Sequence, residues 1–372
     1  MQVRPITDGE HLKYISSRSS VSFLQTPAWG KAKAGWSPIS LGWFDNDVLV
    51  GAGLMLLRKV PRVNRYLAYL PEGPDLDWDN EDLVSRALSA LSEFSKARGV
   101  FQIKMGPHVW TRRWSADTIK DAISQNHIRT ISALPPDEVS SSGNALCTVL
   151  LAAGWKQQAP ADSGFGDFQP RYVFQVDLLN KTADELFAQF NQLWRRNIRK
   201  AQKEGVTVRI GDKSDLSLFH ACYLETAQRD HFIARPLNYF VSMWDTMRSE
   251  EASRLLLFIA EHPDHQGAIA ATTMTQVGDH AWYSYGASTT DARELRPSNA
   301  IQWHMMQQAL SQGAQTYDMR GISDTLDPTN HLFGLIQFKL GTGGYAQEYV
   351  GEWDFVISPL WAKAFALYMS RR

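Results

Sequence analysis

One pattern recurs in both halves of the chain and limits its fold more than any other feature. In the first half, residues 39–44 and 48–57 are alternating or continuous apolar runs separated by the turn Asp45-Asn46-Asp47, a hairpin signature. A helical stretch at 82–97 closes on Arg98-Gly99, and a strand follows at 100–105. In the second half, 255–261 and 267–276 make another hairpin-like pair, and 280–285 is a further strand. Then come a helix at 299–311, closed by Gly313, and a strand at 316–319. Strand–strand–helix–strand used twice predicts an α+β protein of two similar domains, not one doubly wound sheet. The 372 residues give room for both. The expected boundary is the Pro/Gly/Asp-rich stretch 159–170 (APADSGFGDFQP), with 133–144 a surface loop inside the first domain. The segment VGEWDFVI from Val350 is strand-like and is expected to return to the first domain. The domains are therefore expected at 1–168, completed by 350–372, and at 169–349.

Composition removes several functions. Lys+Arg is 38 and Asp+Glu is 39, so a net charge of −1 excludes a bulk nucleic-acid coat and leaves room only for a local basic patch. Two cysteines, Cys147 and Cys222, make neither a metal spacing nor a disulfide framework, which suits a reducing compartment. The N-terminal MQVRPITDGEHLKYI is too polar for a secretory signal, and the best apolar run, 48–57, is half the length a bilayer requires. A water-soluble chain is expected, with peripheral membrane attachment left open. No G-x-S-x-G elbow, H-E-x-x-H pair or Walker loop is present. His262-Pro263-Asp264-His265 falls where a hairpin turn is expected and reads as a solvated turn, not a metal site. Gly341-Thr342-Gly343-Gly344 follows a helix, so it fails the dinucleotide-loop context; a turn beside a site and a helix terminator both fit.

Three features carry chemistry. In the run WRRNIRKAQK (194–203), a helix places Arg195, Arg199 and Lys203 at i, i+4 and i+8, with Arg196 and Lys200 beside them. Such a face fits phosphate tracking, and also a merely solvated surface. In Arg235-Pro236-Leu237-Asn238-Tyr239 an arginine, able to grip phosphate bidentately, stands next to a fixed backbone; an ordinary surface arginine fits as well. Last, Asp318 ends a strand in Tyr317-Asp318-Met319-Arg320-Gly321-Ile322, and Phe338-Lys339 ends an amphipathic helix. An acid and a fixed lysine suit acyl transfer, or a structural salt bridge.

These features occur in order behind the opening FLQTPAWGKAK (23–33), and together they resemble the FemABX-type peptidoglycan aminoacyltransferases. The resemblance runs over nearly the whole chain, strongest at 23–36, 194–206, 229–240, 282–287, 317–322 and 333–353. It implies two tandem domains like the acyl-CoA N-acyltransferase (GNAT) fold, packed side by side. It further implies transfer of an amino acid, usually Gly, Ala or Ser, from its tRNA ester to the amine of the third stem residue of a peptidoglycan precursor. The implied acceptor carries a diphosphate, as UDP-MurNAc-pentapeptide or as lipid II. Carried over by position, Lys33 and Arg235 bind that diphosphate, Tyr239 and Tyr285 belong to the acceptor site, and Phe338 and Lys339 lie near the reacting ester. Only about 20 residues separate Thr182 from Gly205, so the helical arm of longer members is missing and the compact FemX type is the nearer match. At Met105-Gly106-Pro107 the chain departs from a compact relative that has an acid there, so the resemblance supplies no base at that point.

The chemistry agrees with this assignment. A lysine-type amine has a pKa of about 10.4 and must be deprotonated before it attacks. Asp318 is the candidate to orient it or accept its proton, Lys339 the candidate to stabilise the oxyanion, and the five basic residues 195, 196, 199, 200 and 203 the candidate surface for aminoacyl-tRNA. No cofactor or metal is expected, with aminoacyl-tRNA as co-substrate and a monomer in the cytoplasm or at the inner membrane face. The rival readings are an acyl-CoA-dependent N-acyltransferase and a non-catalytic tRNA- or precursor-binding protein.

Overall fold

The computed structural model describes residues 1–125, 128–159 and 169–369. Two compact units divide the chain: Met1–Trp114, Pro135–Tyr172 and Gln347–Arg372 in the first, Ser115–Leu134 and Val173–Ala346 in the second.

The first unit is built on a seven-stranded sheet. Its order is Gln2–Pro5, Ser37–Asp45, Val48–Lys59, Tyr66–Leu70, Val100–Met105, Trp353–Val356 and Lys156–Gln157. The expected hairpin forms, and Asn46 and Asp47 both take positive φ (47° and 64°), the conformation a two-residue turn of matching twist demands. Every pairing is antiparallel except Tyr66–Leu70 with Val100–Met105. Helix Glu81–Ala97 makes that parallel crossover and buries Val84, Ala87, Leu88, Leu91 and Phe94 against the sheet with Trp43, Met55 and Ile103. Asn80 caps its start, and Gly99 (φ 73°) follows its end.

The second unit repeats the plan. Thr207–Gly211, Leu255–Glu261, Ala270–Val277 and His280–Ser288 run antiparallel in sequence. Helix Pro297–Ser311 then crosses to Thr316–Gly321, which lies parallel to His280–Ser288 and antiparallel to Tyr172–Asp177. Both units therefore carry an antiparallel meander whose last strand is joined through a helix to a parallel neighbour, and the α+β expectation stands.

Three details differ from the expectation. Tyr66–Leu70 is an additional strand, so the first unit has the same three-strand lead as the second. Residues 115–134 join the second unit because their backbone groups are satisfied there: Ala116 N–H donates to the Gly344 carbonyl and Ile131 N–H to that of Asp324. The expected loop at 133–144 instead contains strand Glu138–Val139 and the start of helix Ser141–Ala152, since Ser140 serves as an N-cap accepting from Gly143 N–H. Trp353–Val356 does return to the first unit, pairing with Val100–Met105. Of the expected boundary stretch, 160–168 lies outside the described residues.

Candidate active site

The centre of the second unit is a clamped backbone bulge. Strand Thr316–Gly321 loses register with its neighbour between Asp318 and Gly321, and Arg320 within that break has φ 63°, costly for a residue with a Cβ. Two buried ionisable side chains hold it. Asp318, fully buried, accepts the Arg320 N–H with one oxygen and the Gln175 side-chain amide at 3.1 Å with the other. Lys339, 3% exposed, donates to the carbonyls of Met319 (2.7 Å), Arg320 (3.0 Å) and Gly321 (2.7 Å). Its three N–H groups thus end on backbone. The lysine expected to serve as an oxyanion donor is instead engaged by the carbonyls of the bulge it fixes.

Electrostatics separate the two roles. Burial would raise the Asp318 carboxyl, but the His280 ring 3.6 Å away, Arg320 and the Gln175 amide overcome it and hold the pKa at about 2. An acid that strong is a feeble base, so Asp318 suits orientation better than proton abstraction. Burial pulls Lys339 down to about 7, with Asp318 opposing. His280, stacked 4.1 Å from Trp282, is a neighbour that its strand position did not announce as part of the site.

Phe338 lines a cavity of about 240 Å³ together with Arg229, Tyr283, Ser288 and Gln302. The parallel strands pair only over 280–282 with 316–318, and the cavity lies along the remainder of strand His280–Ser288. At Gly286 a Cβ would come within 1.7 Å of the Tyr283 hydroxyl, so a larger residue there displaces the Tyr283 side chain. At the other side of Phe338, its carbonyl accepts the Trp194 indole N–H at 2.7 Å. Gly341 leaves the space for that indole, where a Cβ would come within 2.0 Å of it; this, and the end of helix Phe333–Leu340, are what the glycine run serves.

The structure brings three predicted residues together. The Arg235 guanidinium lies 4.8 Å above the Tyr239 ring, and the Tyr239 and Tyr285 hydroxyls are 2.8 Å apart. Burial first, then the adjacent Tyr285, keeps the Tyr239 phenol protonated well above the usual tyrosine range. Tyr223 and Phe240 complete this aromatic floor, with Phe240 5.2 Å from Tyr285 and 5.1 Å from Tyr223. They escaped the sequence reading because they sit on two different helices, Leu216–Arg229 and Leu237–Glu250, as ordinary buried positions.

The basic run forms helix Gln192–Lys203, with Trp194, Ile198 and Ala201 buried on one side. Arg195, Arg196, Arg199, Lys200 and Lys203 line one concave surface on the other. Lys33 belongs to the first unit. It follows helix Pro27–Ala32, and its ammonium lies 5.0 Å from the Trp29 ring. The FLQTP segment there is held by Gln25, whose amide donates to the Pro71 carbonyl and accepts the Leu54 N–H. The same unit buries an acidic cluster absent from the sequence reading: Ser22 donates to Glu72 at 2.6 Å, Tyr69 to Glu352 at 3.0 Å, and Lys104 lies 3.0 Å from Asp354. His262 uses both ring nitrogens within its surroundings, at the Glu204 carbonyl and the Asp264 N–H, consistent with a turn.

Known proteins share this organisation along its whole length. Lipid II:glycine glycyltransferases of Staphylococcus epidermidis and Staphylococcus aureus are 24% and 25% identical, over 96% of this chain and 93% of theirs. The crystal structure of FemX superposes with a TM-score of 0.79 at 22% identity, covering 97% of this chain and 99% of FemX. A tandem GNAT protein from the clavulanic acid biosynthesis pathway shares the fold at 10% identity, with a TM-score of 0.52 over 96% and 99% of the two chains. The FemAB family model matches residues 6–260 and 247–369, and the chain belongs to the FemAB family.

Proposed function

We propose that this protein is a transferase of peptidoglycan bridge synthesis, moving a small amino acid (Gly, Ala or Ser) from aminoacyl-tRNA to the stem-peptide side-chain amine of lipid II. The observation that carries the reading is the cluster of Arg235, Tyr239 and Tyr285, a cation on an aromatic floor suited to a diphosphate and its sugar, in a chain similar over 96% of its length to lipid II:glycine glycyltransferases. The donor ester is already activated, so the site's tasks are to orient the amine, take up its proton and neutralise charge at the ester carbonyl. The Asp318–Lys339 clamp fixes the backbone at 318–321 next to Phe338, and the basic helix supplies the surface for the tRNA acceptor arm. No cofactor is required by this chemistry.

The test is direct transfer. Purified protein is incubated with lipid II or UDP-MurNAc-pentapeptide and a mixture of radiolabelled aminoacyl-tRNAs, and the muropeptide product is sequenced. Label on the third-residue side chain is expected, with lipid II the better acceptor. Binding of both substrates without transfer would leave a non-catalytic protein, and transfer from acetyl-CoA alone would make it an acyl-CoA enzyme.

A further inference from the structure

Helix Leu216–Arg229 ends at a short connection that holds an apolar side chain out in water. Asp230 closes the helix, and His231 turns the chain with φ 57°. Phe232 is then fastened: its N–H donates to the Ala227 carbonyl at 3.1 Å and its ring rests 5.4 Å from Tyr223. On the far side the His220 ring lies 3.0 Å from the Arg235 carbonyl, and Pro236 leads into helix Leu237–Glu250. Between these two fixed points Ile233 is 95% exposed, and Phe232 keeps 40% of its surface open. Scattered exposed apolar residues are ordinary. An isoleucine held fully outward on a segment pinned at both ends is an apolar tip presented to something outside the chain.

Its position says what that is. Ile233 precedes Arg235 by two residues, a reach of about 7 Å at most. In a lipid-linked acceptor the diphosphate joins the sugar to a polyprenyl chain, so a side chain that close to the diphosphate contact stands at the depth where hydrocarbon begins. Among the described residues no helix is long and apolar enough to cross a membrane, and a short apolar tip reaches a lipid-linked acceptor from the membrane surface. We infer that Ile233, with the open edge of Phe232, enters the apolar layer of the bilayer while Arg235 holds the diphosphate at its surface. The inference rests on the reading of Arg235 given above. It makes 231–234 the element that favours a membrane-borne acceptor over a water-soluble one bearing the same headgroup.

The experiment compares the wild type with Ile233→Asp and Ile233→Leu. In flotation with vesicles of equal parts phosphatidylglycerol and phosphatidylethanolamine, wild type and Ile233→Leu are expected to float, and the bound fraction of Ile233→Asp to fall roughly 10-fold. A wild type that does not float, or an Asp variant that floats like it, overturns the inference. In transfer assays Ile233→Asp should raise KM about 10-fold for lipid II in vesicles, with kcat unchanged and no change for a short-chain, water-soluble form of the same acceptor. An equal rise for both forms overturns it too, placing Ile233 on the headgroup. Arg235→Ala separates the two levels. If that variant binds the soluble acceptor as well as wild type, the diphosphate reading fails while the flotation result still stands on its own.

Discussion

The Trp194 indole N–H donates to the Phe338 carbonyl at 2.7 Å, and the two rings lie 4.7 Å apart. One side chain thus joins the first turn of the basic helix to the helix end that bears Phe338 and Lys339. Trp194→Phe removes the donor and leaves a carbonyl without its partner, at a cost of about 1–3 kcal/mol. Thermal unfolding should show the loss, and kcat should fall while the KM for aminoacyl-tRNA stays near wild type. A variant with unchanged melting and unchanged turnover would reduce the contact to incidental packing.

Lys339 predicts a pH signature. Its ordinary pKa is 10.5 and burial pulls it to about 7 in the folded protein. Between those values the unfolded chain binds the proton more tightly, so stability rises with pH across the window, and the penalty is complete below pH 7. Lys339→Met abolishes this dependence. Denaturant unfolding at pH 7 and pH 9 should show wild type gaining on the order of 1–2 kcal/mol relative to the variant. Turnover of Lys339→Met should drop about 10²-fold, the scale of a small misplacement of the site, as the bulge at 319–321 relaxes. Parallel pH dependence for the two proteins would mean that Lys339 does not titrate in this range.

How much of this was legible depended on whether a signal was local. The two hairpins, helix Glu81–Ala97 with its glycine stop and the basic face of helix Gln192–Lys203 follow from period and punctuation within about 20 residues, and the structure has all of them. Strand Tyr66–Leu70 was missed because five residues bounded by turns carry little period, and its parallel partner, Val100–Met105, lies beyond a whole helix. The role of Trp194 was missed for a different reason. Its apolar spacing with Ile198 and Ala201 is visible in sequence, but Phe338 is 144 residues away. Lys339 was legible as a fixed lysine ending an amphipathic helix, but its partners were not; only the break in register at 318–321 turns three carbonyls towards it.

Arg235 should be a binding residue. Arg235→Ala is expected to weaken the acceptor about 10–100-fold, as the loss of a charge-assisted phosphate contact of about 1.5–3 kcal/mol implies, with kcat changed less than twofold. Arg235→Lys should recover little, because an ammonium lacks the planar fork that lies over Tyr239. Isothermal calorimetry with the soluble acceptor decides. Full affinity in the lysine variant would reduce the requirement to a point charge.

Neutralising Arg195, Arg196, Arg199, Lys200 and Lys203 to glutamine separates a tRNA surface from a solvated face. These cations share one concave surface, so a bound phosphate backbone would shed the counterions that the five side chains displace from it. The KM for aminoacyl-tRNA should rise, and its log–log dependence on salt should flatten by roughly 3–4 in slope. Acceptor KM should not move. An unaltered salt slope would assign the run to solubility alone.

Asp318 closes the argument about proton removal. Its folded pKa of about 2 lies below its ordinary 3.8, so its stabilisation is present above pH 3.8 and is lost as pH falls towards 2. Asp318→Asn should therefore cost about 2–3 kcal/mol at neutral pH and little at pH 2, read by denaturant titration at both. The same pKa means that Asp318 stays ionised through the whole working range and contributes no limb to the pH–rate curve. If Asp318 orients, Asp318→Asn lowers kcat without moving either limb of the profile. Were the acidic limb to disappear in the variant, Asp318 would be the proton acceptor after all, and the His280 and Arg320 contacts that depress it in the free protein would have to give way when substrate binds.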